Sequence, residues 1–212
     1  MKSLKIFLGG STNIILYMCL VYYIVAALFT PGFFTMNNTW NLLYNLMPLL
    51  IVAIGQTLVI LTAGIDLSVT SIIAVTSVVG GYLMSSDYSP FTNTYLMLGA
   101  GILGMMLTGG FIGMINGISV AKLKMPSFMV TLTGLMFFSG FAVWLTKSQN
   151  IYNLPAALVN MPYSSFLGLP IPVWIGTLVL VLTYFILNRS LLGEWIYAVG
   201  VNPKTSKISG VK

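Results

Sequence analysis

Two long stretches of this sequence, residues 6–65 and 148–188, carry no charged side chain. A helix needs about 20 apolar residues to cross the hydrocarbon core of a bilayer, so each stretch can hold one or more crossings. About a quarter of the residues in a soluble domain are charged, because its surface must be solvated. Here only 6% are charged and 58% are hydrophobic. The chain is therefore predicted to be an all-α membrane protein, a polytopic bundle of transmembrane helices.

Hydropathy predicts about six spans. The first is interpreted as a retained helix instead of a cleaved signal peptide. Its apolar core is longer than that of a typical signal peptide, and no Ala-x-Ala site follows at the right place. The predicted ranges are 13–30, 41–62, 67–85, 94–121, 127–146 and 171–188.

The basic residues predict the orientation of these helices. With the N-terminus in the cytoplasm, eight of the nine lysines and arginines fall in inner loops and only Lys147 lies outside. Six crossings then return the C-terminus to the cytoplasm. Residues 1–188 form the transmembrane domain, and the polar, basic residues 189–212 are expected to form a short cytoplasmic surface helix. Residues 147–170 are expected to be an outer loop with short helical turns.

Several function classes are excluded by the residue types. The chain has no histidine, so Ser-His or Cys-His catalysis, HExxH zinc chemistry and histidine-ligated metals are excluded. The single cysteine, Cys19, cannot form a disulfide within the chain. The scattered basic residues form no stripe that would bind nucleic acid. No catalytic or metal-binding residues are predicted, and a membrane enzyme has no plausible active site here.

Glycines in the fourth predicted helix recur every four residues, at Gly109, Gly113 and Gly117. On a helix they lie on one face, where the absence of side chains lets a neighbouring backbone approach closely. The interpretation is helix packing within the bundle, which is favoured over a role in gating.

Polar residues within the predicted spans are candidates for a translocation pathway: Gln56, Asp66 and Asn116. The two amides match neutral polyols, but hydrogen bonding across helices explains them equally well. Asp66, or Ser68 beside it, is predicted to be the N-cap of the third helix after a tight turn at Gly64. The alternative for Asp66 is an ion or proton relay, because intramembrane carboxylates are costly and often functional.

Three segments together resemble the inner-membrane permeases of ribose-type sugar ABC importers. They are similar to the family's IDLSVGS region, its NG…P.FI.TLG block and its cytoplasmic IYAVGGNPEAARLSGI segment. Their order and spacing also fit, and the resemblance covers nearly the whole chain. The segments are IGQTLVILTAGIDLSVTSI (54–72), GMINGISVAKLKMPSFMVTLTGL (113–135) and GEWIYAVGVNPKTSKISGVK (193–212).

The resemblance implies a multi-pass protein of the cell inner membrane with three kinds of partner. A cytoplasmic ABC ATPase binds ATP and Mg²⁺, an extracytoplasmic binding protein delivers the sugar, and a second permease subunit, identical or different, completes the pathway. The chain itself has no GxxxxGK[ST] motif and is expected to bind no cofactor. The third segment corresponds to the family's ATPase-coupling helix. Its turn would be formed by Gly200, Asn202 and Pro203, and its docking surface by Thr205, Ser206, Lys207, Ser209 and Gly210.

The chain departs from the family pattern at a few positions. Ala63 precedes Gly64 where the family commonly has paired glycines, and Lys204 replaces a glutamate of the coupling segment. The family's members are longer, so the chain is expected to be the front portion of a permease. The runner-up function is a secondary transporter in which Asp66 couples an ion.

Overall fold

A computed structural model of the protein describes residues 13–211. Three lysines on which the predicted orientation partly depends, Lys2, Lys5 and Lys212, lie outside these residues. The described chain is built from helices with one small hairpin. The long helices are α1 (Asn13–Phe29), α2 (Met36–Leu61), α3 (Val69–Met84), α4 (Thr94–Ala121), α5 (Ser127–Thr146) and α7 (Ile171–Arg189), and the short ones are α6 (Ala156–Asn160), α8 (Leu191–Val201) and α9 (Pro203–Ile208).

Four described helices, α2, α4, α5 and α7, are long and apolar enough to cross a membrane. The other two predicted spans correspond to shorter apolar helices, α1 with 17 residues and α3 with 16. At 1.5 Å per residue, α3 is about 24 Å long, which is less than the hydrocarbon thickness of about 30 Å. The protein is thus an all-α polytopic membrane protein, and the number of six crossings stays a prediction.

The chain forms two compact units that divide between Leu46 and Met47. In the first unit, the connection between α1 and α2 turns at Gly32, whose φ of +77° suits glycine. The Asn38 amide donates to the Phe33 carbonyl oxygen at 2.8 Å. The ring of Phe33 packs edge-on against Tyr23 of α1, with 5.1 Å between the ring centroids. These contacts hold the end of α1 against the start of α2.

In the second unit, α3, α4 and α5 pack around a small apolar core. Val75, Ile112 and Ala142 contribute one buried side chain from each helix. Around this core the outer surfaces are apolar as well; Leu107 and Trp144, for example, are exposed. A soluble protein rarely exposes such continuous apolar surface, whereas lipid solvates it without cost.

The closest approach of α3 and α4 depends on three glycines. Met84 of α3 lies over Gly101, and Leu83 lies over Gly104, where any Cβ would overlap these side chains. In the opposite direction, a Cβ at Gly80 would lie 2.6 Å from the Met105 sulfur. Each helix therefore inserts large side chains into spaces that the glycines of the other leave open.

The predicted glycine face of α4 makes less contact than its spacing suggests. A Cβ at Gly109 would lie 3.5 Å from the Thr76 methyl carbon, which is ordinary packing distance. At Gly113 and Gly117, no atom of the described chain lies within 4 Å of such a Cβ. Close packing with α3 therefore involves Gly101 and Gly104, whereas Gly113 and Gly117 do not face a described neighbouring helix.

The connection 147–170 contains the expected helical turn, α6, followed by a short 3₁₀ turn. It also contains a hairpin that was not predicted, in which β1 (Ser165–Phe166) pairs antiparallel with β2 (Leu169–Pro170). The loop is held to the end of α3 by hydrogen bonds. Ser85 Oγ donates to the Tyr152 carbonyl oxygen at 2.7 Å, and the Asn153 amide donates to Asp87 Oδ2 at 3.0 Å.

Candidate functional site

The α2 helix ends in a tight turn that leads into residues 62–68, here called the 62–68 segment. The amide of Gly64 donates to the Val59 carbonyl oxygen at 3.0 Å, and Ala63 has a left-handed φ of 57°. A Cβ at Gly64 would be only 3.3 Å from that same oxygen. The tight turn is present, but the left-handed residue is Ala63, and Gly64 is needed for its close approach to Val59.

Replacing Ala63 with glycine will raise the stability of the chain by about 0.5–1 kcal/mol. A left-handed conformation costs a non-glycine residue about 1–2 kcal/mol, and the greater freedom of glycine in the unfolded chain offsets part of this gain. The measurement is the temperature at which half of the chain in detergent loses its monodisperse size-exclusion peak. Ala53→Gly within α2 is the control, and it will lower that temperature. Equal shifts in both variants would contradict the strain at Ala63.

Side chains of α2 and α5 satisfy backbone groups of the extended part of the 62–68 segment. Gln56 donates through Nε2 to the Asp66 carbonyl oxygen at 2.8 Å. Ile65 donates its N–H to Ser127 Oγ, and its carbonyl oxygen accepts from Thr131 Oγ1, both at 3.2 Å. A backbone without helical bonds needs such partners among apolar helices, since an unsatisfied group there costs several kcal/mol. The 62–68 segment is therefore held in one conformation by its neighbours.

Asp66 lies just before α3, and its side chain accepts hydrogen bonds from Ser68. One carboxylate oxygen, Oδ1, accepts from the Ser68 backbone N–H at 2.7 Å and from Ser68 Oγ at 2.6 Å. Ser68 occupies the N-cap position but makes no side-chain cap of its own. Both donors of Ser68 share one acceptor oxygen. Asp66 therefore forms an Asx turn with Ser68 just before α3, instead of the expected side-chain cap of the helix.

Asn116 of α4 extends this arrangement. Its Nδ2 donates to Ser68 Oγ at 2.9 Å, and both side chains are buried. The hydrogen bonds therefore run in one direction, from Asn116 to Ser68 to Asp66. Gly134 of α5 packs against this pair, and a Cβ there would be 3.5 Å from Ser68 Cβ, which is ordinary packing distance.

The three predicted pathway residues thus meet in one polar group, which we call the Asp66 cluster: Gln56, Asp66, Ser68, Asn116, Ser127 and Thr131. The sequence interpretation did not single out Ser127 or Thr131. Two hydroxyls four residues apart at the start of a helix could have indicated a polar contact on that face.

Replacing Asn116 with alanine will lower stability by about 1 kcal/mol, because interhelical hydrogen bonds in membranes contribute about 0.6–1.7 kcal/mol. The readout is again the temperature of half-loss of the size-exclusion peak. Asn45→Ala is the matched control, since within the described residues Asn45 donates to the Asn41 carbonyl oxygen of its own helix and to no other helix. A loss for Asn45→Ala as large as that for Asn116→Ala would contradict the assignment.

The residues predicted to contact an ATPase lie in two short helices and in the turn that follows the second one, where a single helix was expected. Asn202 ends α8 and starts α9, and its Oδ1 accepts from the Lys204 and Thr205 amides at 3.0 and 3.1 Å. Pro203 is the first residue of α9. The predicted turn at Asn202 and Pro203 is present, whereas Gly200 lies inside α8.

The other residues predicted for the docking surface differ in how far they are exposed to solvent. Thr205, Lys207, Ser209 and Gly210 are exposed. Ser206 is buried, and its Oγ donates back to the Asn202 carbonyl oxygen at 2.8 Å. Ser206 therefore stabilises α9 from within and is not part of its outer surface.

The comparisons with known proteins agree with this architecture. Residues 38–212 match the family described as branched-chain amino acid transport system / permease component. The chain is 31% identical over 196 residues to the ribose import permease protein RbsC of Escherichia coli (strain K12), covering 91% of this chain and 59% of the relative. It is 31% identical over 192 residues to the D-allose transport system permease protein AlsC of the same strain, covering 89% and 57%.

A further relative is the galactofuranose transporter permease protein YtfT of Escherichia coli (strain K12), which is 36% identical over 172 residues. That match covers 81% of this chain and 48% of the relative. No solved structure matches the chain. The chain spans about 59% of the length of the ribose import permease. By the family match and these relatives, the chain belongs to the family of ribose-type sugar ABC importer permeases.

Proposed function

We propose that the chain forms part of the translocation pathway of a sugar importer in the cell inner membrane. A separate cytoplasmic ATPase, which binds ATP and Mg²⁺, drives it, and an extracytoplasmic binding protein delivers the sugar. A second permease subunit, identical or different, completes the pathway. The observation that carries this proposal is α9, a capped polar helix that presents exposed hydroxyl and lysine side chains beside an apolar bundle.

The relatives indicate the class of substrate. They are named for import or transport of ribose, D-allose and galactofuranose, all of which are neutral sugars. Neutral polyols are recognised by amides and hydroxyls, the groups that form most of the Asp66 cluster. D-ribose is therefore the first probe for uptake.

We assign the ATPase contact to the exposed residues of α9 and the turn after it, namely Thr205, Lys207, Ser209 and Gly210. A short polar helix that is rigidly attached to the spans can transmit a push from the ATPase to the pathway. Asn202 and Pro203 shape the start of this helix. We leave Ser206 out of the contact because it is buried.

Charge reversal at Lys207 tests the contact. Lys207→Glu will reduce co-purification of the ATPase with the chain by about tenfold or more, because a charge of the wrong sign in an interface weakens binding. A tenfold loss of affinity corresponds to about 1.4 kcal/mol. Lys122→Glu, in the exposed turn after α4, is the control and will leave co-purification unchanged. An ATPase that binds the Lys207→Glu chain as tightly as the wild type would refute this assignment.

The geometry of Asp66 favours this proposal over the secondary transporter. A carboxylate that couples an ion must exchange that ion during each cycle, whereas Oδ1 of Asp66 holds two hydrogen bonds from Ser68 at the start of α3. Such an Asx turn is a structural element of the chain that leads into the helix. We therefore propose that Asp66 stabilises the pathway and does not carry an ion.

A further inference from the structure

The α8 helix is attached to the bundle at both of its ends through glycines. At the first end, Ser190 Oγ donates to the Ile186 carbonyl oxygen at 2.6 Å, and a Cβ at Gly193 would overlap the Leu187 carbonyl oxygen. This junction is tight because two backbones meet without a side chain between them. The start of α8 therefore follows the end of α7.

At the other end, Gly200 meets the last residue of α2. A Cβ at Gly200 would overlap the Leu61 carbonyl oxygen and would lie 3.6 Å from the Thr62 Cα. The contact again joins two backbones. Thr62 is the first residue of the 62–68 segment, and Asp66 follows four positions later.

A contact between two backbones transmits displacement better than a contact between flexible side chains. A long side chain can absorb a small shift by changing rotamer, but a glycine and a carbonyl group have none to change. Close-packed elements respond to small shifts by moving together, since they cannot be compressed. A movement of α8 is therefore expected to reach Leu61 without being absorbed.

The 62–68 segment is bound tightly enough to pass this movement on. Gln56, on the last turns of α2, donates to the Asp66 carbonyl oxygen, and Asp66 in turn holds Ser68. Ser68 accepts from Asn116 of α4. A shift at the end of α2 thus changes the hydrogen bonds that hold α3 to α4.

We propose that Gly200 is a positioning residue that links α9 to the Asp66 cluster through Leu61. This inference rests on the proposed function, because it supplies the path by which the ATPase contact at α9 would act on the pathway. Asn202 joins α9 to α8, Gly200 joins α8 to α2, and the 62–68 segment joins α2 to α3 and α4. The ATPase would then change the pathway at the cytoplasmic end of the predicted spans.

The test separates transport from ATP hydrolysis. The chain with Gly200→Ala is reconstituted in liposomes together with a sugar-importer ATPase and a sugar-binding protein from the same organism. Uptake of radiolabelled D-ribose and hydrolysis of ATP are measured on the same liposomes. The added methyl group pushes α8 away from Leu61, so sugar uptake per ATP hydrolysed will fall about tenfold, a typical size for coupling between sites. ATPase co-purification and basal hydrolysis will stay close to those of the wild type.

The matched control is Val201→Ala, at the neighbouring position, where the side chain is 88% exposed. It will leave the uptake per ATP unchanged. An unchanged ratio in Gly200→Ala overturns the proposal. So does a Gly200→Ala chain that no longer binds the ATPase, because Gly200 would then shape the docking surface itself. If the wild-type chain fails to bind the ATPase, the proposed function is wrong, and that result is distinct from either of these.

A second variant covers the case in which the Gly200→Ala chain does not accumulate in the membrane. Gln56→Ala removes the hydrogen bond that ties the end of α2 to the Asp66 carbonyl oxygen, and it leaves the exposed surface of α9 and the contact of Gly200 with Leu61 in place. Uptake per ATP will again fall while the ATPase stays bound. Full coupling in this variant overturns the proposal.

Discussion

Replacing Asp66 with alanine will abolish sugar uptake and lower the stability of the chain by about 2–6 kcal/mol. The Ser68 N–H and Oγ lose their acceptor in this variant, and Ser68 is fully buried. Each buried donor left without a partner costs about 1–3 kcal/mol. The measurements are uptake of D-ribose in membranes that also contain the ATPase and binding protein, and the temperature of half-loss of the size-exclusion peak.

The matched variant is Asp66→Asn, which keeps an oxygen at the position of Oδ1 and removes the charge. The temperature of half-loss will stay close to that of the wild type, and uptake will stay within a few-fold of it. The amide oxygen still accepts both hydrogen bonds from Ser68, at about half the strength. A stable Asp66→Asn chain with no uptake would instead show that the charge itself is needed for transport. That result would favour the ion-coupled transporter over the importer.

Replacing Gly101 with leucine will prevent the chain from accumulating in a folded form. Met84 already fills the space over Gly101, and both residues are buried. Overpacking by even a few methylene groups costs about 1–3 kcal/mol, and a leucine here would force α3 and α4 apart along their whole contact. The measurement is the amount of monodisperse chain extracted from the membrane.

Gly113→Leu is the control on the same helix, because no described atom lies within 4 Å of a Cβ at that position. It will leave the amount of folded chain unchanged. Equal losses in the two variants would contradict the assignment of α3–α4 packing to Gly101. Unchanged folding with reduced uptake would assign the Gly113 face to a contact outside this chain.

The long helices could be predicted from the sequence because their cause is local. An apolar run without charges must satisfy its own backbone in lipid, and a helix does so with no partner. The bounds of α4 and α5 match the predicted ranges, whereas α2 begins at Met36 and not near residue 41. Residues 36–40 are polar on average, so hydropathy places the start of α2 too late.

The Asp66 cluster could be predicted only in part, because its bonds join residues far apart in sequence. Asp66, Gln56 and Asn116 stood out as polar residues in apolar surroundings. That Asn116 meets Ser68, 48 residues earlier, depends on how α3 crosses α4. Sequence spacing shows which residues share a helix face and does not show which neighbour covers that face. The glycines illustrate the same point, since the regular spacing of Gly109, Gly113 and Gly117 does not show that α3 packs most closely over Gly101 and Gly104.

The distant bonds of the 62–68 segment have a consequence for the order in which the protein assembles. Ile65 is synthesised 62 residues before Ser127 and 66 before Thr131, which are its partners. A ribosome adds about 5–20 residues per second, so Ser127 is added about 3–12 s after Ile65. α3 is completed within that interval, but the segment between α2 and α3 still lacks its two partners from α5. The 62–68 segment can therefore reach its final set of hydrogen bonds only after the start of α5 has been synthesised.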